Sequence, residues 1–268
     1  MRTLVVVPAR MGSTRLPGKV LLPLAGKPLL ERMIERVMAA RSGFEYVVAT
    51  TTDVADDAIE ELCKRAGFPC FRGHPTDLLD RSFQAARVER TDIVVQIPAS
   101  CPLIDPAVID RVVAHHRSAP ADVDYVSNLH PATYPAGNDV EVVPMRALEI
   151  AWRQAKKSYE REHATPFLWD QPERFRVANV TWETGLDWSM SHRLTIEYPD
   201  DYALLHDVYD ALYVASAPIF SLADILAFLA NNPDVLKKNA RYAGVNWYRE
   251  HVAHLETVGA ADTREPPP

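Results

Sequence analysis

The chain has 268 residues, 47% of them apolar and 24% charged, and a formal net charge of −7. That balance describes a globular protein and argues against a general nucleic-acid or anionic-membrane surface, though not against one local anion site. Three cysteines (Cys63, Cys70, Cys101) without CxxC spacing give neither a zinc knuckle nor a disulfide framework, and no signal-like or membrane-length apolar run is present, so a reduced cytoplasmic protein is expected.

Residues 3–9 (TLVVVPA) form a continuous apolar run, the pattern of a central parallel strand covered on both faces. Helical spacing follows at Leu29, Leu30, Met33, Ile34, Val37 and Met38. Strands are predicted over 46–50, 69–73, 92–99 and 123–128. Helices are predicted over 53–67, ending at Gly67, over 76–89, with Thr76 or Asp77 near the N-cap, and over 105–118, with an acid-proline start. Strands alternating with helices imply right-handed crossovers and an α/β fold with a mostly parallel sheet, whose ligands sit at the carboxyl ends of the strands. From about residue 130 the rhythm changes. A loop and a strand are expected over 129–144, an amphipathic helix over 145–155, a strand feeding a helix over 192–212, and a helix capped by Ser221. One domain over 1–255 is expected, with a nucleotide-binding half at about 1–128 and an acceptor or dimerisation part at about 129–255; residues 256–268 are expected to be disordered.

The first acidic residue is Glu31, yet Arg2, Arg10, Arg15, Lys19 and Lys27 precede it. The loop ARMGSTRLPGK carries three of these cations. Its glycines, Gly12 and Gly18, are separated by five residues and Val20 follows Lys19, so it is not a Walker A loop, which needs four residues between the glycines and a hydroxyl after the lysine; GxGxxG is also absent. What remains is a glycine-containing loop after the first strand. Gly12, Ser13 and Thr14 can bring backbone amides to a phosphate, Arg10 and Arg15 can grip its oxygens bidentately, and Lys19 adds a point charge. Three cations suit a triphosphate and a pyrophosphate leaving group; solubility alone is the plainer explanation of a basic loop.

The loop resembles the signature of the sugar-acid cytidylyltransferase superfamily, which includes the CMP-octulosonate and CMP-sialate synthetases, and most of all its SpsF-like spore-coat-polysaccharide branch. ATTTDVADDAIEELC, RGHPTDLLDRSFQAA, CPLIDP, YPAGNDVEVV, EREHATPF and HRLTIEYPDDYALL follow in the family's order, so the likeness spans roughly residues 3–212. It implies a Rossmann-like, GT-A-like nucleotidyltransferase fold with a late dimerisation or lid subregion, a homodimer, and transfer of CMP from CTP to a small anionic sugar acid or related acid, with Mg²⁺ (or Mn²⁺) as cofactor. Arg10, Ser13, Arg15 and Lys19 would hold the triphosphate, Arg10, Arg15 and Lys19 acting catalytically on its charge. Pro8 and Ala9, with Arg72, would recognise base or ribose; a solvated turn is the other reading of Arg72.

Two positions depart from the family. Ala99 and Ser100 replace a Gly-Asp pair whose Asp binds magnesium, and Glu197 stands where a second metal Asp is usual. A serine is a weak ligand for a hard cation, so Glu197 is the remaining metal candidate and Ser100 is assigned to the nucleotide. Either the site is degenerate, a nucleotide-binding homologue without catalysis, or it works with Gln96 facing the acceptor, as a QPTSPL-like segment does in the sialate branch. Asp139 and Glu141 share one strand face over the acceptor pocket, or else an edge strand. Arg161 suits an acceptor anion, and His163 is either a general base or a structural hydrogen-bonder. Asp200 and Asp201 read as helix-start carboxylates. Trp152, Tyr159, Phe167 and Trp169 could build a dimer interface or a core. A GT-A glycosyltransferase is the rival enzyme; its DxD motif has one literal match, Asp122–Asp124.

Overall fold

A computed structural model describes residues 1–266. Strand β1 (Thr3–Pro8) is an interior strand of the main sheet. Its Leu4 and Val6 pack into one apolar cluster and Val5 and Val7 into the other, which is why the run carries no polar alternation. After β1 come a short hairpin, β2 (Pro23–Leu24) and β3 (Lys27–Pro28), and helix α1 (Leu29–Met38). Then follow β4 (Glu45–Thr51), α2 (Asp57–Ala66), β5 (Cys70–Gly73), α3 (Leu78–Val88) and β6 (Ile93–Gln96). Next are α4 (Pro106–Ser118), β7 (Tyr125–Ser127), β8 (Glu141–Pro144), α5 (Met145–Gln154), α6 (Ser158–His163) and α7 (Pro166–Trp169). The series closes with β9 (Val177–Asn179), α8 (Pro199–Leu212), α9 (Leu222–Asn231) and α10 (Pro233–Lys237).

The main sheet runs β5-β4-β1-β6-β8-β7-β9. β5, β4, β1 and β6 are mutually parallel, β8 is antiparallel to both its neighbours, and β7 and β9 are parallel. The chain builds outward from β1 to β5 on one side and then returns to place β6 on the other. β1 and β6 therefore flank a switch point, where the carboxyl ends of parallel strands leave a crevice. No described helix is long and apolar enough to cross a membrane.

Helix starts follow the expected chemistry. Asp77 caps α3 by accepting from Asp80 N (2.8 Å), Asp105 caps α4 from Ala107 N (2.8 Å), and Ser221 caps α9 from Asp224 N (3.1 Å). Two expectations change, and for four aromatics the core reading holds. Residues 192–197 do not form a strand: Leu194 N bonds to Ala136 O and Ile196 N to Ser100 O, so the segment crosses the strand ends instead of running along an edge. Gly137 permits this, because a Cβ there would lie 2.5 Å from the Leu194 carbonyl carbon and its φ is +102°. Tyr159, Phe167 and Trp169 are buried in the second core cluster, and Trp152 stacks on Phe83 (4.3 Å), so these aromatics are spent inside the chain. Finally, residues 256–266 are not left free. Asp170 Oδ1 accepts from Glu256 N (2.8 Å) and Thr257 N (2.9 Å), and Val258 packs against the second cluster; 267–268 lie outside the described residues.

Candidate active site

The crevice at β1 and β6 opens into a cavity of about 940 Å³. The loop after β1 forms one wall. Buried Asp56 fixes its start by accepting from Met11 N (2.7 Å) and from the Thr51 hydroxyl. Gly18, at φ +70°, closes it with an N–H to Met11 O (3.0 Å), a turn that disfavours a side chain. Ser13 Oγ accepts from Leu16 N (3.2 Å). Arg10, Ser13, Arg15 and Lys19 line the cavity with Pro8 and Ala9, whereas Gly12 does not. The loop therefore brings three cations together, as its sequence suggests.

Their partners were not legible. Glu197 lies between two of them: Oε2 is 2.7 Å from an Arg15 nitrogen and Oε1 is 2.9 Å from Lys19 Nζ. Lys19, only 9% exposed, also donates to Ile196 O (2.7 Å). Burial pushes the Lys19 ammonium down and Glu197 offsets part of this. Burial alone would raise the Glu197 carboxyl; Lys19 and Arg15 outweigh it and hold the carboxyl below its usual value. Asp201, fully buried, sets this carboxylate in place. It pairs with Arg193 (2.8 Å) and accepts from the backbone N–H groups of Glu197 (2.8 Å) and Tyr198 (2.9 Å), the expected helix-start carboxylate with an added positioning task. Arg10 has only a loose contact with Glu162, at 3.7 Å, and stays exposed.

Another part of the wall comes from β6 and β8. Gln96 and Glu141 are register partners in the antiparallel pair, so their side chains share a face. Gln96 Nε2 donates to Ser82 Oγ (2.5 Å), leaving its buried Oε1 without a partner. Glu141 Oε1 accepts from Tyr125 OH (2.6 Å) and Thr165 Oγ1 (2.5 Å), and burial raises its carboxyl to about 7. Asp139 Oδ1 accepts from Gly137 N (3.1 Å), and burial raises it too. Both carboxylates line the cavity, as does Ser100, whose carbonyl accepts from Ile196 N (2.8 Å) and Thr195 Oγ1 (2.8 Å).

Two assignments are corrected. Arg72 does not line the cavity; it bonds to Thr51 O (2.8 Å) and Asp53 O (2.8 Å) and pairs with Asp57 and Glu60, tying the ends of β4 and β5 together. Arg161 is also absent from the cavity wall, because it grips Asp77 (2.6 Å) and Trp152 O (2.6 Å) and so braces α6 on α3. His163 does reach the cavity, but burial pushes it down to about 3 and it stacks on Trp247 at 3.7 Å; a ring this weakly basic is a poor general base.

Arg81, whose sequence suggests only a helix-surface network with Asp77 and Asp80, is instead 4% exposed, lines the cavity and donates to His74 O (2.6 Å); among the described residues it forms no ion pair with a carboxylate and its Nε has no partner. Its place beside the apolar residues Leu79 and Phe83 on a helix with a buried face was the available signal.

The expected metal position does not form a carboxylate cage. Ser100 is neutral, both oxygens of Glu197 are engaged by cations, and among the described residues no three His, Cys, Asp or Glu side chains are grouped to hold an ion.

Residues 4–214 match the model of a family described as cytidylyltransferase. An uncharacterized protein of Methanocaldococcus jannaschii is 33% identical over 90% of this chain and 95% of its own. The spore coat polysaccharide biosynthesis protein SpsF of Bacillus subtilis is 30% identical over 86% and 95%. Among solved structures, a cytidylyltransferase from Leptospira borgpetersenii superposes with a TM-score of 0.82 at 32% identity, covering 88% of this chain and 97% of that one. A matched span of this length, joined to a nucleotidyltransferase sheet and a cationic loop at its switch point, means that the chain belongs to the cytidylyltransferase family of enzymes.

Proposed function

We propose that the chain transfers CMP from CTP to a hydroxyl of a sugar acid or related acid, releasing pyrophosphate, in the making of a surface polysaccharide or glycoconjugate. The observation that carries this reading is that Arg10, Arg15 and Lys19 line the same cavity as Gln96, Asp139 and Glu141. The triphosphate lies against the cations and the acceptor against the carboxylate side. The acceptor oxygen attacks the α-phosphorus in line, the bond from that phosphorus to the bridging oxygen breaks, and pyrophosphate departs with the negative charge that Arg15 and Lys19 neutralise. The acceptor hydroxyl's proton passes to Glu141, whose burial-raised value near 7 suits a base at neutral pH. With Arg161 withdrawn, an acceptor anion falls to Arg81, the buried cavity cation without a carboxylate. Mg²⁺ or Mn²⁺ enters as the nucleotide's counter-ion, not as a resident of the protein, and no step here depends on a protein-held ion.

Pyrophosphate release tests the reading. With Mg²⁺, CTP and a panel of sugar acids, release is expected from CTP and not from ATP. Release of nucleoside diphosphate from a nucleotide sugar would favour a glycosyltransferase, and CTP binding without turnover on any acid would favour a non-catalytic homologue.

A further inference from the structure

The family model ends at residue 214, but the cavity wall does not. Residues 245–251 line the cavity, joined by Thr257, Val258, Ala261 and Asp262. The segment is closed on itself: Arg264 N donates to Gly244 O (2.8 Å), Asn246 N to Thr263 Oγ1 (3.1 Å), and Tyr248 OH to Asp262 O (2.8 Å). It is also tied to the body. Asp170 holds Glu256 and Thr257, Tyr159 OH donates to His254 O (3.2 Å), and Arg193 donates to Val245 O (3.3 Å).

Trp247 is its central side chain. The indole stacks on His163 at 3.7 Å and meets Trp169 edge-on at 6.4 Å, and Trp169 in turn stacks on His130 at 4.0 Å. All four rings line the cavity that also holds Asp139 and Glu141. Of the segment's two arginines, Arg249 is paired with Glu250 (2.5 Å) and Arg264 does not line the cavity. An aromatic surface beside carboxylate acceptors suits a hydroxyl-bearing ring: its C–H face packs on the indole and its hydroxyls donate to the carboxylates.

We propose that residues 244–264 form the acceptor wall of the chain's own site, with Trp247 as the platform that selects a polyhydroxylated ring in the acceptor and in the CMP-linked product. Acceptor choice is then set partly by residues beyond the stretch that the family model matches. This rests on the CMP-transfer reading above.

Calorimetry on the full chain tests it, with CMP and CMP-N-acetylneuraminate as probes. Wild type is expected to bind the linked probe at least about fivefold more tightly than CMP, the scale of one good aromatic contact. Trp247→Ala should bring that ratio to about one while CMP affinity stays within about twofold, and Trp247→Phe should keep most of the preference. Should the alanine variant not fold, Trp247→Leu, which keeps bulk without an aromatic face, takes its place. Equal wild-type affinity for the two probes, a preference that survives the loss of the ring, or a parallel fall in CMP affinity each overturns the proposal. Failure of wild type to bind CMP at all is a different result: it removes the CMP-transfer reading, and the proposal with it.

Discussion

Glu197→Gln separates two accounts of the same carboxylate. If Glu197 is chiefly a metal ligand, losing its charge weakens Mg²⁺–CTP binding. In the structure it is instead the counter-charge of Arg15 and Lys19, at 2.7 and 2.9 Å. An incoming triphosphate then has to share those cations with a like charge. Two unit charges 4 Å apart interact by roughly 4 kcal/mol at an effective dielectric of about 20. Arg15 is 38% exposed, so screening reduces the figure, and about 1–2 kcal/mol remains for the repulsion removed. The variant should bind Mg²⁺–CTP about 5- to 30-fold more tightly by calorimetry at low salt, with the gain shrinking as salt is added. The free protein should lose stability, because Lys19 stays buried without its counter-charge. A loss of about 1–2 kcal/mol corresponds to a fall in melting temperature of roughly 2–8 °C. Weaker CTP binding with an unchanged melting temperature would refute the counter-charge account.

Other expectations follow from the same geometry. Arg161→Ala and Arg72→Ala should leave CTP affinity unchanged in calorimetry, and Arg161→Ala should cost about 1–3 kcal/mol of unfolding free energy through the lost brace on Asp77. Glu141→Gln tests the buried carboxyl by its pH dependence. Its folded value, about 7, lies above the unfolded value, so the native state binds the extra proton; wild-type stability falls as pH rises from about 4.5 to 7, by up to roughly 3 kcal/mol. Thermal melts should therefore show the glutamine variant gaining on wild type between pH 5 and pH 8 while losing turnover. Ser100→Asp would add a carboxylate to a cavity that already holds Asp139 and Glu141; turnover should fall at every Mg²⁺ concentration, and a rise would mean that the wild-type site is a degenerate metal site.

Much of this molecule was readable along the chain. The β1 run, the α3 cap at Asp77 and the acid-proline start of α4 are local matters of burial and hydrogen bonding, and local sequence encodes them. The cationic loop was readable because its three charges sit within ten residues of one another. What failed depended on contacts distant in sequence. Arg72 and Arg161 looked free because Asp57, Glu60 and Asp77 reach them only through packing of strands and helices. Glu197 is 182 positions from Arg15, so its role as a counter-charge could not be seen. The segment over 192–197 has strand-like composition, yet the close approach at Gly137 turns it across the strand ends. The C-terminal stretch lacks periodicity because it is held by separate anchors, Asp170, Tyr159 and Arg193, and not by a repeating apolar face.

The central claim is that the loop after β1 holds the triphosphate of CTP. Equilibrium binding of Mg²⁺–CTP and of CMP to wild type and to Lys19→Ala tests it most directly. The account predicts that the variant loses about 10- to 100-fold in CTP affinity, the worth of one charge-assisted contact, while CMP affinity changes by less than about threefold. Unchanged CTP affinity in a folded Lys19→Ala protein would contradict it.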